Sequence, residues 1–338
     1  MLIVMKSNAG EAEFQAVEGR VRALGFEPHR IRGAERTAIA VTGNSEPIDP
    51  AAFSGLAGVR ETIRVTRPWK LAARESHPAD TVVMVGGRPI GGPENVIIAG
   101  PCAVEGESRT LAIAEAVARS GARFFRGGAW KPRTSPYSFQ GLGREGLRIL
   151  SKVRQETGLP IITEAVDEES LAAVEDHADA IQIGARNMQN FALLKRAGRS
   201  RLPVFLKRGP AATIEEFILA AEYLLAAGNA QVFLCERGVR TFGNHSRSTL
   251  DLAIVPSLRR MSHLPILVDP SHGTGRREQV GPMALAALAA GAHGVMIEVH
   301  DAPEKALCDG AQALLPSEFD RLAKMLKGIT RPAPRDGD

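Results

Sequence analysis

The chain has 338 residues, 44% of them hydrophobic, with a formal charge of +4 and no apolar run long enough to span a bilayer. A charge that small, without a Lys/Arg tract and with only two Trp and two Tyr for stacking, excludes a nucleic-acid-tracking surface. The modest basic excess points instead to an acidic small molecule as partner.

Residues 1–66 read as one small unit. An apolar strand at 2–5 is followed by a helix at 11–24, with Phe14, Val17, Val21 and Leu24 at helical spacing. Two β-rich runs, 28–32 and 37–41, flank Gly33, Ala34 and Glu35 as a hairpin turn. A short helix at 51–56 and an alternating strand at 59–65 complete a βαββαβ order, the ferredoxin-like split βαβ arrangement. The unit holds no convincing catalytic cluster, and its lone histidine, His29, is read as a structural or surface residue rather than a ligand. The N-terminus lacks a charged region followed by an apolar one and a cleavage site, and the three scattered cysteines Cys102, Cys235 and Cys308 suit a reducing compartment. Both features predict a cytoplasmic protein.

Residues 67–94 form a Pro/Gly-rich linker in which 81–85 and 88–90, split by Gly86 and Gly87, read as a β-hairpin placed at the bottom of the domain that follows. From 95 to 330 a pattern repeats eight times. Apolar β-rich runs at 96–99, 122–125, 160–163, 180–183, 203–206, 231–235, 265–268 and 294–297 alternate with amphipathic helical segments such as 111–120 and 146–157. Thr213 and Glu216 have the spacing of a capping box at one helix start. Eight strand–helix units predict a closed (β/α)8 TIM barrel. An open doubly wound sheet is the alternative, but Gly100, Pro101, Cys102 and Ala103 after the first strand are not a dinucleotide-binding turn. The last residues, 331–338, are expected to be a disordered tail.

Barrel catalysis draws on residues at the C-terminal ends of several strands. Those ends carry Cys102, Arg126, Glu164, Gln182 with Arg186, Lys207 with Arg208, Glu236 with Arg237, Asp269 with His272, and Glu298 with His300. The loop after the second strand adds Lys131 and Arg133, stiffened by prolines and preceded by two glycines that permit close backbone approach. Such a concentration of cations is sensible only around anions, because a close unpaired pair repels by up to about 4 kcal/mol at an effective dielectric near 20. Arginine's planar fork suits phosphate and carboxylate, and lysine offers a point charge that can also move a proton. Substrates bearing several phosphate and carboxylate groups are therefore expected. A second set, Cys102, His272, Glu298 and a later acid for which Asp309 is the best candidate, mixes thiolate, imidazole and carboxylate. That donor set suits a borderline divalent metal, although a buried structural Cys102 and a packing role for His272 fit the spacing as well. Cys235 and Cys308 are read as ordinary packing residues.

These residues resemble a known family. The run Lys131, Pro132, Arg133, Thr134, Ser135, with Arg126 to Trp130 before it and Pro136 to Gly143 after it, is similar to the type I DAHP (3-deoxy-D-arabino-heptulosonate 7-phosphate) synthases of the β branch. The likeness extends through Ala99 to Cys102, Gln182 to Asn187, Leu206 to Gly209, Leu234 to Gly238, Val268 to His272 and Glu298 to His300, and a ferredoxin-like N-terminal domain also occurs in that branch. Trp130 stands where many relatives carry Tyr, which makes that loop wall bulkier. The resemblance implies condensation of phosphoenolpyruvate with erythrose 4-phosphate, the first step of the shikimate pathway. It implies that Arg186, Arg237 and the Gly184–Ala185 backbone hold the phosphoenolpyruvate phosphate, and that Arg126, Lys131 and Lys207 hold its carboxylate end. Arg133 and Thr134 would bind the erythrose phosphate, with Lys131 and Pro132 lining its path. Cys102, His272, Glu298 and Asp309 would bind a divalent metal, Mn first and Fe, Co or Zn as alternatives, with no organic cofactor. Lys131, Lys207, Glu164 and His272 would form the catalytic group, Glu164 and Lys207 moving protons. An aromatic amino acid, Phe or Tyr, bound at residues 1–66 and acting as feedback inhibitor, and a homotetramer, are further implications. Two rivals stand beside this reading. One is 3-deoxy-D-manno-octulosonate 8-phosphate synthase, against which the Lys131 to Ser135 run speaks; the other is a non-catalytic sensor of sugar phosphates or amino acids.

Overall fold

The computed structural model describes residues 1–32, 37–43, 48–63 and 68–332. The chain divides into two compact units, Met1–Asp80 with Met261–His263, and Thr81–Arg260 with the chain from Leu264 onward.

In the first unit, β1 (Leu2–Met5), α1 (Glu11–Ala23), β2 (Glu27–Arg32), β3 (Thr37–Thr42), α2 (Ala51–Ser54) and β4 (Val59–Ile63) follow one another. The strands form an antiparallel sheet in the order β2-β3-β1-β4, which is the ferredoxin-like arrangement expected. Helix α1 places Glu11 and Glu13 in its first turn and Arg20 and Arg22 in its last, complementing the helix dipole. Its Val17 and Val21 are buried against Ile3, Met5, Ile39, Val41 and Phe53. His29 Nε2 lies 2.8 Å from the Thr42 hydroxyl, a structural contact across the β2–β3 pair. The expected turn at Gly33, Ala34 and Glu35, the end of the closing strand at Val65 and most of the expected tail lie outside the described residues.

The second unit opens with the hairpin β5 (Val83–Val85) and β6 (Arg88–Ile90). Strands β7 (Val96–Gly100), β8 (Phe124–Arg126), β9 (Ile161–Ala165), β10 (Ala180–Ile183), β11 (Val204–Lys207), β12 (Val232–Glu236), β13 (Ile266–Val268) and β14 (Gly294–Glu298) then close a parallel eight-stranded barrel. Closure removes the open-sheet alternative. Between strands run α3 (Glu107–Ser120), α4 (Arg144–Thr157), α5 (Glu168–His177), α6 (Phe191–Ala197), α7 (Ile214–Ala226) and α8 (Ile254–Met261). The short α9 (Pro270–Thr274) with α10 (Arg277–Ala289), and finally α11 (Pro316–Lys327), complete the ring. The strands are buried along their whole length, which explains why they read as unbroken apolar runs. At α7, Thr213 Oγ1 accepts the Glu216 amide at 3.1 Å and the Glu216 carboxylate accepts the Thr213 amide at 2.8 Å, the capping box expected from sequence.

The barrel interior is filled by Ile98, Phe124, Ile162, Phe205, Phe233 and Met296, with the Phe205 and Phe233 rings stacked at 4.5 Å. Val83, Val85 and Ile90 of the hairpin belong to the same buried cluster. A Cβ at Gly86 would meet Pro160, the residue leading into β9, so the hairpin lies across the N-terminal end of the barrel. Several strands run one or two residues past their expected C-terminal limits. Arg126, Lys207, Glu236 and Glu298 are themselves the last strand residues, buried because each has an oppositely charged partner.

Candidate active site

At the C-terminal end of β7 the chain turns sharply. Gly100 has φ +152°, and a Cβ there would stand 2.0 Å from the Arg126 carbonyl oxygen; only glycine fits, and Cys102 follows on the barrel mouth. From β8, Arg126 Nη1 donates to the Pro101 carbonyl at 2.9 Å and to Glu298 Oε1 at 2.6 Å. On β9 and β10, Gln182 Nε2 donates to Glu164 Oε2 at 2.9 Å. The Glu164 carboxylate lies over Gly184, where a Cβ would come within 2.0 Å of Oε1. Lys207, ending β11, pairs with Asp269 after β13 and lies 3.5 Å from Met296 Sδ. Asp269 caps α9, its Oδ1 accepting the His272 amide at 2.9 Å and its Oδ2 lying 2.7 Å from His272 Nδ1.

That last contact decides how His272 points. With Nδ1–H donated to Asp269, Nε2 carries its lone pair toward Cys102 Sγ at 3.8 Å, Glu298 Oε1 at 3.1 Å and Asp309 Oδ2 at 3.8 Å. Cys102 Sγ is 3.2 Å from Asp309 Oδ2, and the four ligand atoms all lie within 4.8 Å of one another. Most of these separations match the edges of a tetrahedron whose centre is about 2.0–2.3 Å from each N, O or S atom. Converging lone pairs of this kind call for a cation, and the four residues fit a divalent metal. A supporting layer surrounds them: Asp269 on His272, Arg126 and Gln312 on Glu298 (Gln312 Nε2 to Oε2, 2.6 Å), Arg247 on Asp309 (3.1 Å), and Lys131 Nζ 3.2 Å from Cys102 Sγ.

The electrostatics follow from burial opposed by partners. Burial would raise the Asp269 carboxyl, but the charges of His272 and Lys207 outweigh it and hold it well below the usual range. Asp309 is likewise lowered against burial by His272 and Arg247, and Glu298 by His272 and Arg126. Burial pushes the His272 imidazole down, against the pull of the Asp269 and Glu298 carboxylates. Lys131 stays protonated despite burial, because the Cys102 and Cys308 sulfurs lie close by.

Above this layer opens a cavity of about 270 Å³. Arg126, Lys131, Pro132, Arg133, Thr134, Glu164, Gly184, Ala185, Arg186, Lys207, Arg237, His272 and Asp309 all line it, while Cys102 and Glu298 sit buried beneath. The residues that the resemblance assigns to substrates and metal are thus gathered at one mouth, whereas Arg208, Glu236 and His300 do not line it. Arg133 Nη1 and Arg126 Nε are buried without a hydrogen-bond partner among the described residues, so two guanidinium donors wait for an acceptor.

Three readings need correction. Arg208 is not part of the mouth: it is buried and donates to Glu236 at 2.9 Å, to Asp251 at 3.1 Å and to the Ala212 carbonyl at 3.0 Å. Arg126 and Lys207 are not unpaired cations, since Glu298 and Asp269 partly neutralise them. Cys308 is not an ordinary packing residue, for its Sγ is 3.4 Å from Cys102 Sγ and it lines the cavity. Arg247 was missed altogether. It sits in a loop with no motif, and nothing local in sequence links it to Asp309, 62 residues away.

Residues 78–333 match the DAHP synthetase I family, and residues 1–67 match the DAHP synthase ferredoxin-like domain. The chain belongs to the DAHP synthetase I family. It is an enzyme of the DAHP synthase class. The phospho-2-dehydro-3-deoxyheptonate aldolase of Thermotoga maritima is 47% identical over 329 residues, 97% of both chains. The crystal structure of that DAHP synthase superposes with a TM-score of 0.77 and covers 96% of each chain. A truncated form of the Thermotoga maritima enzyme covers 76% of this chain, with a TM-score of 0.71 at 48% identity. The 2-dehydro-3-deoxyphosphooctonate aldolase of Syntrophobacter fumaroxidans is more distant, 33% identical over 72% of this chain and 90% of its own. Among the described residues no helix is long and apolar enough to cross a membrane.

Proposed function

We propose that this DAHP synthase joins phosphoenolpyruvate to erythrose 4-phosphate, with water, to give 3-deoxy-D-arabino-heptulosonate 7-phosphate and inorganic phosphate, the entry step of the shikimate pathway. The observation that carries the reading is the cavity itself: a mouth rich in Arg and Lys, two buried guanidinium donors left open, and a thiol–imidazole–carboxylate quartet directly beneath. Two phosphates and a carboxylate match that charge.

In this scheme Arg186 and Arg237, with the Gly184–Ala185 backbone, grip the phosphoenolpyruvate phosphate, and Arg126, Lys131 and Lys207 face its carboxylate and reacting carbons. Arg133 and Thr134 hold the phosphate of the sugar, which runs past Lys131 and Pro132. Cys102, His272, Glu298 and Asp309 would hold a divalent ion, Mn first and Fe, Co or Zn as alternatives, which would supply Lewis-acid polarisation of an aldehyde oxygen. Asp269 keeps Nε2 of His272 free for that role by accepting the hydrogen bond from Nδ1–H. The vinyl carbon of phosphoenolpyruvate bonds to the aldehyde carbon, C2 becomes electron-poor, and water adds there. The hemiketal phosphate then collapses by C–O cleavage, releasing phosphate. Glu164 near the end of β9 and Lys207 at the end of β11, both buried with β10 between them, manage the protons of that water, of the former aldehyde oxygen and of the leaving phosphate.

Residues 1–66 would carry the site for an inhibitory aromatic amino acid, Phe or Tyr, coupled to the barrel mouth. We further propose a homotetramer acting in the cytoplasm. The deciding experiment measures phosphate release from phosphoenolpyruvate plus Mn with erythrose 4-phosphate and, separately, arabinose 5-phosphate. Turnover with the four-carbon sugar is expected, and preference for the five-carbon sugar would shift the reading to the octulosonate synthases. Repeating the assay with Phe and Tyr, on the full chain and on a chain lacking residues 1–66, tests the effector site; inhibition that survives the deletion would remove it.

A further inference from the structure

The loop between β14 and α11, built on two short 3-10 turns at Pro303–Lys305 and Gly310–Gln312, brings Asp309 to the quartet and Cys308 beside it. It is tethered at its base, where His300 N donates to the Leu314 carbonyl at 2.9 Å and Leu314 N to the Glu298 carbonyl at 2.9 Å. At its far end Asp309 has φ +54°, the one non-glycine residue with positive φ among the described residues. Aspartate tolerates the left-handed region better than most residues, and here Arg247 on its carboxylate and the segments either side fix the conformation together.

On the near side the constraint comes from another loop. Glu105 lies three residues beyond Cys102, and its side chain is 2% exposed. Its Oε1 accepts the amide of Leu307, two residues before Asp309, at 2.8 Å. Its Oε2 is 3.2 Å from Arg109 Nη1 and 3.3 Å from His300 Nε2. His300 Nδ1 accepts the Ala302 amide at 3.0 Å, which leaves Nε2–H to donate to Glu105. Arg109 also reaches Asp301 at 3.0 Å. One carboxylate therefore ties the start of the Asp309 loop, at His300, and its far part, at Leu307, to the loop that carries Cys102, with Arg109 bridging to Asp301.

We propose that Glu105 is a positioning residue for the quartet: by anchoring the Leu307 amide beside the Cys102 loop, it sets the spacing between Cys102 and Asp309. The proposal rests on the metal reading above. Without the clamp Asp309 shifts and the site loses the geometry of its fourth ligand, while the phosphate-binding arginines, carried on other strands, stay in place.

The test titrates chelator-treated protein with Co(II), following the thiolate-to-cobalt charge-transfer band, for wild type, Glu105→Gln, Glu105→Ala and Arg109→Met. Gln keeps a carbonyl for Leu307 but turns an amide toward two donors. The Co(II) Kd should rise roughly tenfold in Glu105→Gln and roughly a hundredfold in Glu105→Ala, the range for lost outer-shell partners, and least in Arg109→Met. Phosphoenolpyruvate binding to the metal-free variants should stay within about twofold of wild type, which a general loss of packing would not allow. Folded Glu105→Gln binding Co(II) like wild type overturns the proposal, as does parallel weakening of cobalt and phosphoenolpyruvate. If Glu105→Ala does not fold, Glu105→Gln decides. A wild-type protein that takes no Co(II) brings down the metal reading and the clamp together, whereas normal wild-type binding with unaffected variants removes the clamp alone.

Discussion

Asp269 holds His272 at two points, accepting its backbone amide at 2.9 Å and standing 2.7 Å from its Nδ1, so that Nε2 can face only the other three ligands. The same Asp269 oxygen receives the Lys207 ammonium. Replacing it by Asn keeps the shape but offers one acceptor where two donors converge. Asp269→Asn should weaken metal affinity about ten- to a hundredfold, read by competition with a chelating dye.

Removing the metal should separate the thiol from the rest of the site. Chelated wild-type protein is expected to lose turnover and to regain it with Mn. Cys102→Ala should stay inactive after the same addition while keeping its thermal unfolding midpoint to within a few degrees, because the side chain deleted is small. Full activity of Cys102→Ala in metal-free buffer would eliminate the metal from the mechanism.

Arg133 and Arg237 should divide the two substrates between them. Each charge-assisted hydrogen bond lost is worth about 1.5–3 kcal/mol, roughly ten- to a hundredfold in affinity. Arg133→Ala should raise the KM for erythrose 4-phosphate by that factor and leave the KM for phosphoenolpyruvate nearly unchanged. Arg237→Ala should do the reverse. Steady-state kinetics with each substrate varied at saturation of the other check both, and identical effects of the two variants would contradict the assignment.

Acid should destabilise the unit built on Met1–Asp80 through His263. Burial lowers its pKa from 6.5 to about 4, and the neutral ring lies 2.8 Å from the Leu71 carbonyl as a hydrogen-bond donor. The unfolded chain binds this proton more readily, so stability is full above the unfolded value and falls as the pH drops from 6.5 toward 4. The loss at the lower end is about 3 kcal/mol. Urea unfolding of wild type and His263→Gln across that range should give a shallower slope for the variant.

The barrel was legible because its strands are buried on both faces, so each appears as an apolar run, most of them closed by a charge. The ferredoxin-like unit was legible through the change from alternating to helical spacing. Pairing was not. Arg126 and Glu298 are 172 residues apart and Lys207 and Asp269 are 62 apart, so a linear reading counts the cations as excess and misses the acids that tame them. Arg208 was misplaced for the same reason, and Arg247, Gln312 and Glu105 act through loops whose course no local pattern announces. The site residues that did stand out were those clustered in short motifs, above all Lys131 to Thr134.

The hairpin Val83–Val85 with Arg88–Ile90 has a bearing on traffic as well as packing. Behind the mouth the barrel is solid with Phe124, Phe205, Phe233 and Met296, and the hairpin packs onto the far end of that core, so a molecule held at the mouth comes and goes by one rim. Two molecules bound one above the other at such a mouth would have to enter and leave in a fixed order.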